Sequence, residues 1–266
     1  MPKLAANLSM LFNEVPFMDR FEAAAKAGFK GVEFLFPYAF DMNQIADNLK
    51  KNNLVMVLHN LPAGNWEGGE RGIACHPDRV GEFQDGVGKG IEAAKKLGVL
   101  QVNCLAGKAP AGVDADKLRA TFVSNLKFAA GKLKAEGIPL ITEPINTFDI
   151  PGFYLNRTQQ AIDIIKETGS DNLFLQHDIY HMQRMEGELA NTIKANLPMI
   201  KHMQLADNPG RFEPGTGEIN YKFLFKFIDE LGYDGWIGCE YKPKTTTVDG
   251  LGWIAAHGES DPDMSC

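Results

Sequence analysis

The sequence predicts an α/β protein that forms a single closed (β/α)8 barrel, the TIM-barrel architecture. Short apolar, β-branched runs alternate along the chain with longer segments of helical period. Several helical segments end at a glycine just before the next strand, as at Gly28, Gly98 and Gly137. Eight such strand–helix units fit into 266 residues, which is the length typical of one barrel of this kind.

The eight units follow one another in order along the chain. Strands are predicted at residues 4–10, 31–37, 54–60, 99–105, 140–144, 173–178, 200–206 and 235–240. Helices are predicted at residues 17–27, 42–52, 78–97, 114–136, 158–168, 188–196, 221–231 and 250–256. Because each helix returns the chain to the same edge of the sheet, consecutive strands lie parallel, and eight of them close into a barrel.

The first strand–helix turn argues against a doubly wound dinucleotide fold. That fold needs a glycine-rich G-x-G-x-x-G turn after its first strand, whereas residues 9–13 (SMLFN) contain no glycine. No linker or shift in composition divides the chain. We therefore expect one domain over residues 1–266, with the tail after about Trp253 as its least defined part.

The charge and amino-acid composition of the chain indicate which kinds of binding partner and which cellular compartment to expect. The net charge of −7 and the pI near 5.4 disfavour nucleic acids and anionic membrane surfaces. The chain contains no run of 18 apolar residues, and its first residues lack the pattern of a secretory signal. The four cysteines show no Cys-x-x-Cys spacing and suit a reducing compartment. We expect a cytoplasmic protein.

Oxygen-bearing side chains lie at the ends of four consecutive predicted strands. They are Glu143, Asp178, Gln204 and Glu240. Because active sites of these barrels lie at the C-terminal strand ends, the four side chains should converge at one mouth. Three crowded carboxylates repel one another unless a cation or a proton intervenes. Oxygen ligands favour a hard divalent metal, so we expect Mg²⁺ or Mn²⁺.

The loops at the same mouth carry mostly cationic side chains. In an acidic protein this bias indicates a substrate with a carboxylate group. The candidate substrate-binding residues are His59, Arg71, Lys108, His181 and Arg211. Each of them, taken singly, has an ordinary alternative as a surface charge, so the prediction depends on their shared location.

Nine short motifs are distributed along the chain. They are ANLSM (6–10), GVEF (31–34), HNLPAG (59–64), GERGIA (69–74), EPIN (143–146), DIPG (149–152), DIYHMQ (178–183), EPGTGEI (213–219) and GCEYKP (238–243). Together they resemble the motifs of the hydroxypyruvate isomerase family within the xylose-isomerase-like barrels. The resemblance implies that Glu143 and Glu240 are acid/base residues and that Glu143, Asp178, Gln204 and Glu240 form a metal shell. Many members of the wider superfamily have histidine where this chain has Gln204.

The resemblance also implies a reaction. Hydroxypyruvate and tartronate semialdehyde (2-hydroxy-3-oxopropanoate) would interconvert through an enediolate, with the two glutamates moving the proton. The alternatives are a 2-oxo-tetronate isomerase, which acts on an acid one carbon longer, and a non-catalytic sugar-acid-binding barrel. Metal-dependent hydrolysis of the endonuclease type is disfavoured, because histidines do not occupy the four strand ends. The expected partner is a small 2-oxo or hydroxy acid, and assembly as a homo-oligomer is left open.

Overall fold

The structure, a computed structural model, describes residues 1–258. Its sheet is a closed barrel in which each strand pairs in parallel with the next and β8 pairs with β1. The strands are β1 Lys3–Asn7, β2 Gly31–Glu33, β3 Val55–Asn60, β4 Gln101–Cys104, β5 Leu140–Thr142, β6 Leu173–Asp178, β7 Ile200–Leu205 and β8 Trp236–Cys239. The prediction of a (β/α)8 barrel is confirmed.

Helices connect the strands and surround the barrel. They are α1 Arg20–Lys26, α2 Met42–Lys51, α3 Val80–Leu97, α4 Ala115–Ala135, α5 Thr158–Thr168, α6 Ile179–Met185, α7 Leu189–Asn196, α8 Tyr221–Glu230, α9 Thr247–Gly250 and α10 Gly252–Gly258. The apolar faces of these helices pack against the outward side chains of the strands and form the main core. Within residues 1–258, no helix combines the length and the apolar character needed to cross a membrane.

Several predicted strands extend too far toward the mouth. β1 ends at Asn7, β2 at Glu33 and β5 at Thr142, where pairing with the neighbouring strands stops. The apolar residues that follow belong to loops over the barrel, so apolar composition alone does not mark the end of a strand. β6 and α5 have the predicted bounds.

The helical prediction missed α6. This helix follows β6 directly, because the Asp178 carboxylate accepts hydrogen bonds from the backbone N–H groups of Tyr180 (2.8 Å) and His181 (3.2 Å) and so caps its first turn. The helix predicted at 250–256 is divided into α9 and α10, with Leu251 between them. The rest of the predicted tail, residues 259–266, lies outside the described residues.

A small apolar cluster fills the barrel below the mouth. Ala5, Val57, Leu58 and Ile141 form it, and Phe174 and Trp236 cover it. Gly31 makes room for this packing, since a Cβ there would lie 2.6 Å from the Trp236 ring. The candidate site lies above this cluster, where the strands end.

Candidate active site

The four predicted strand-end residues reach the same end of the barrel. Glu143 and Glu240 directly follow β5 and β8, Asp178 ends β6, and Gln204 lies near the end of β7. They are nearly inaccessible, at 4%, 7%, 1% and 2% exposure in that order. Glu143, Gln204 and Glu240 line one cavity at the mouth. Asp178 lies beside it, with Oδ2 3.5 Å from the His181 ring.

Burial and mutual repulsion hold protons on these carboxyl groups. Burial, then the charges of Glu240 and Asp178, raise the pKa of Glu143 well above its usual value. Burial raises the pKa of Asp178 to about 6 and that of Glu240 to about 7, although the Arg211 guanidinium opposes both shifts. Without a bound cation, the three groups therefore resist full ionisation near neutral pH.

The donor set of this cluster fits a divalent cation. Glu143 and Asp178 each offer a carboxylate oxygen within 4.8 Å of the other and of a ring nitrogen of His181, and all three residues are buried. Among the described residues, the buried Oδ2 atom of Asp178 has no hydrogen-bond partner, as expected of an oxygen that awaits a ligand. A cation there would relieve the repulsion between the carboxylates.

Asn146 determines which ring nitrogen of His181 carries the proton. The Oδ1 atom of Asn146 accepts hydrogen bonds from the backbone N–H groups of Phe148 (3.1 Å) and Asp149 (2.8 Å), so its amide nitrogen must face the Nδ1 atom of His181, 2.7 Å away. Nδ1 is then the acceptor, and the proton lies on Nε2. Burial lowers the pKa of His181 well below its usual value, which keeps the ring neutral. His181 thus presents an N–H donor to the cavity rather than a free ligand nitrogen.

Amide and guanidinium groups orient the two glutamates. Asn103 Nδ2 donates to Glu143 Oε2 over 3.3 Å. Asn7 Nδ2 donates to Glu240 Oε1 over 3.3 Å, and Arg211 donates to Glu240 Oε2 over 2.5 Å. Each catalytic candidate therefore has one oxygen engaged by a neutral amide, whereas Glu240 alone also contacts a cation.

A buried carboxylate anchors the loop that carries Arg211. Asp207 accepts hydrogen bonds from four backbone N–H groups of this loop, at distances of 2.9–3.0 Å; they belong to Asn208, Gly215, Gly217 and Ile219. Arg211 itself has a φ of +58°. The loop thus holds the guanidinium over Glu240, so that Arg211 lines the cavity already paired with a carboxylate.

The structure brings only some of the predicted substrate-binding residues to the cavity. Arg71, His181 and Arg211 line it, and the Arg71 guanidinium lies 4.2 Å from the centre of the Trp66 ring. His59 and Lys108 are not among the lining residues.

Strand alternation explains the position of His59: Asn60 points into the cavity, and His59 points to the other side. There its Nδ1 atom contacts the Asn60 carbonyl oxygen over 3.0 Å, and burial lowers its pKa to about 4. The Lys108 ammonium group instead donates to the Gly69 carbonyl oxygen over 2.9 Å.

A known family matches this fold and site. The sequence profile described as "Xylose isomerase-like TIM barrel" matches residues 21–257. The chain belongs to this family. It is 56% identical to the hydroxypyruvate isomerase of Escherichia coli, over 96% of this chain and 98% of that one. It is 46% identical to the 2-oxo-tetronate isomerase of Cupriavidus necator, again over 96% and 98%.

Solved structures of other proteins have the same architecture. A structure titled as an AP endonuclease of family 2, from Brucella melitensis, superposes with a TM-score of 0.94 at 43% identity and covers 96% of this chain and 99% of its own. The 3-keto-D-glucoside 4-epimerase of E. coli superposes with a TM-score of 0.80 over 96% of this chain and 100% of its own. At 19% identity, the second match shows the fold alone.

Sequence reasoning missed four residues that shape this site: Asn7, Glu33, Asn103 and Arg184. The first three end or nearly end β1, β2 and β4, so the rule that found Glu143 and Asp178 would have found them if applied to every strand. Arg184 lies on the unpredicted α6, where it pairs with Asp149 and contacts Tyr180. No sequence signal pointed to it without that helix.

Proposed function

We propose that this chain is a hydroxypyruvate isomerase, which interconverts hydroxypyruvate and tartronate semialdehyde. The observation that carries the proposal is the cavity that two buried glutamates, each at the end of a separate strand, line among fixed hydrogen-bond donors. The 56% identity to the E. coli hydroxypyruvate isomerase over nearly the whole chain supports the same reaction.

Glu143 and Glu240 are the proposed acid and base. One carboxylate removes a proton from C3 of hydroxypyruvate, and the other delivers a proton to C2 of the resulting enediolate, while the C3 hydroxyl proton passes to the C2 oxygen. In the metal-free protein, burial raises the pKa of both groups, and that of Glu240 to about 7. Asn103, Asn7 and Arg211 hold the two carboxylates in place.

We propose that Glu143, Asp178, Gln204 and Glu240 hold a divalent cation, Mg²⁺ or Mn²⁺. The crowding of their carboxylates and the unpartnered Oδ2 atom of Asp178 support this assignment. When bound, the cation supplies Lewis-acid stabilisation of the enediolate oxygens. The neutral His181 ring adds an N–H donor on the same side of the cavity, and this is its proposed role in substrate binding.

The substrate carboxylate requires a cationic partner that is not already neutralised. Arg211 is paired with Glu240, and Arg184 with Asp149. The Arg71 guanidinium rests on the Trp66 ring and, within residues 1–258, donates only to backbone carbonyl groups, so it keeps its full charge for the substrate. Lys242 also lines the cavity, but it is exposed to solvent, whereas Arg71 is half-buried. We propose Arg71 as the principal carboxylate ligand. His59 and Lys108, which lie outside the cavity lining, do not take this role.

Other features of the proposed enzyme follow from composition and burial. Cys75, Cys104 and Cys239 are buried and unpaired, in keeping with a reducing, cytoplasmic environment. The net charge of −7 leaves a small anionic acid, guided by the arginines of the mouth, as the expected partner rather than a nucleic acid or a membrane.

A second candidate is 2-oxo-tetronate isomerase activity, favoured by the 46% identity to the C. necator enzyme. It uses the same site and the same proton transfer on a substrate one carbon longer.

Turnover distinguishes the two candidates. Purified protein, stripped with EDTA and then resupplied with Mg²⁺ or Mn²⁺, should show a higher kcat/KM on hydroxypyruvate than on 2-oxo-tetronate, and Glu143→Gln should be inactive on both. A higher kcat/KM on the four-carbon acid would replace the first proposal with the second, and no turnover of either acid would contradict both.

A further inference from the structure

Glu33 is a fully buried carboxylate at the end of β2 to which the proton-transfer scheme gives no task. Its Oε1 atom accepts hydrogen bonds from Asn7 Nδ2 (2.9 Å) and Gln204 Nε2 (2.7 Å). Its Oε2 atom lies 2.7 Å from His202 Nε2. Gly238 on β8 leaves the space for this carboxylate, since a Cβ there would lie 2.2 Å from Oε1. The barrel therefore has a place built for an acceptor directly below the mouth.

The amide of Gln204 can lie in either of two orientations that differ by exchange of its oxygen and nitrogen. The contact with Glu33 Oε1 allows only one of these two orientations of the Gln204 amide. If the proton of the Glu33–His202 contact lies on the ring, Glu33 is a carboxylate; if it lies on Oε2, Oε1 is a carbonyl oxygen. In both cases Oε1 only accepts hydrogen bonds, so the Gln204 nitrogen must face it and the Gln204 oxygen must face away.

The other contacts of Gln204 do not fix its orientation. Gln176 Nε2 donates to Gln204 Oε1 over 2.6 Å, but Gln176 is also an amide that could turn, and its own Oε1 has no partner among the described residues. Gln176 therefore follows the orientation of Gln204. Asn7 is a contrasting case, because its Oδ1 atom accepts a hydrogen bond from the backbone N–H of Ser9 (3.1 Å) and so has its own anchor.

We propose that Glu33 is a positioning residue that makes Gln204 an oxygen ligand: it holds the amide nitrogen and so turns the oxygen away from itself, where the lone pair that Gln176 does not use is left for the cation. The inference rests on the metal site assigned above. An amide oxygen binds a hard divalent cation, whereas an amide nitrogen with two hydrogens does not. The proposed neutral ligand on β7, Gln204, therefore depends on the carboxylate of Glu33 at the end of β2, a strand that does not pair with β7.

The test is a double-mutant cycle on Mn²⁺ affinity, measured by calorimetric titration of EDTA-stripped protein without substrate. Glu33→Met removes the acceptor at similar volume, and Gln204→Leu removes the ligand. Loss of a partner that orients a metal ligand typically weakens metal binding about 10–100-fold, so we expect a Kd increase of that size for Glu33→Met. In the Gln204→Leu background the same change should alter Kd by less than about twofold, because the two residues act as one unit.

Asn125→Leu is the matched control. Asn125 is a buried amide on α4 that donates to the Ala74 carbonyl oxygen, and neither residue lines the cavity, so its loss should leave the Mn²⁺ Kd unchanged. If Glu33→Met does not fold, as judged by circular dichroism, Glu33→Asp replaces it, since this change keeps the carboxylate but withdraws it from Gln204. We expect Glu33→Asp to weaken Mn²⁺ binding in the native background and not in the Gln204→Leu background.

The possible failures are distinguishable. Native protein that binds no Mn²⁺ would remove the proposed metal site and this inference with it. Native protein that binds Mn²⁺ with an affinity unaffected by Glu33→Met or Glu33→Asp would overturn the inference alone. Equal weakening by the Glu33 changes in both backgrounds would also overturn it, because Glu33 would then act on the site without Gln204.

Discussion

The metal-free protein should lose stability as the pH rises from 5 to 8.5, and Glu240 should account for a defined part of that loss. Burial is the main cause that raises the pKa of Glu240 to about 7 in the folded state, against 4.5 for the free side chain. Between these values the folded state binds more protons than the unfolded state. The free energy of unfolding therefore falls as the pH rises through this window.

The size of the loss follows from the two pKa values. Each unit of difference corresponds to about 1.4 kcal/mol, and the part released between pH 5 and pH 8.5 is roughly 2–3 kcal/mol for Glu240 alone. Glu143 and Asp178 also have raised pKa values and add losses of the same sign. Saturating Mn²⁺ should reverse the trend, because the cation binds the ionised carboxylates of the folded state.

Urea unfolding at both pH values, with EDTA present, measures this difference. The pH-dependent loss should be smaller in Glu240→Gln than in the native protein by roughly 2–3 kcal/mol, because glutamine does not titrate. Glu92→Gln, at an exposed position on α3, should behave as the native protein. The same loss in native protein and in Glu240→Gln would refute the claim that the cluster resists ionisation.

Two further predictions concern substrate binding and packing. Arg71→Ala should raise KM at least about tenfold, as expected for the loss of a charge-assisted hydrogen bond of about 1.5–3 kcal/mol. The control variant Arg119→Ala, on the outer surface of α4, should leave the steady-state kinetics unchanged. Gly238→Ala should lower the free energy of unfolding by about 1–3 kcal/mol in the same urea assay, because the added Cβ would clash with Glu33. Gly131→Ala in α4, where the added Cβ meets open space, should instead raise the free energy of unfolding by about 0.5–1 kcal/mol.

The barrel could be predicted because its signals are local. Apolar runs of strand length and helices that close at glycine, such as α3 at Gly98 and α5 at Gly169, repeat along the chain without reference to distant residues. The rule that sites lie at C-terminal strand ends then located Glu143, Asp178 and Glu240 at one mouth. These residues required only strand identity and strand direction.

The rest of the site depends on which side of its strand each residue points to and on contacts with residues far away in sequence. A shift of one position separates His59, which points away from the cavity, from Asn60, which lines it, and composition does not resolve such a shift. The pairing of Arg211 with Glu240 depends on a loop folded around Asp207, and the tautomer of His181 depends on Asn146. Such contacts join residues that are far apart in sequence, so no local pattern encodes them.

Isomerisation in D₂O tests the proton-transfer role of the two glutamates most directly. A carboxylate that removes a carbon-bound proton holds it as an exchangeable O–H group, so deuterium from solvent should appear at C2 of tartronate semialdehyde and at C3 of recovered hydroxypyruvate. Glu143→Gln and Glu240→Gln should each reduce both exchange and turnover to the level of a protein-free control, a loss of about 10²–10⁴-fold or more. Tartronate semialdehyde that forms over many turnovers without solvent deuterium, with substrate hydrogen transferred intact, would contradict the assignment and indicate an internal hydride shift.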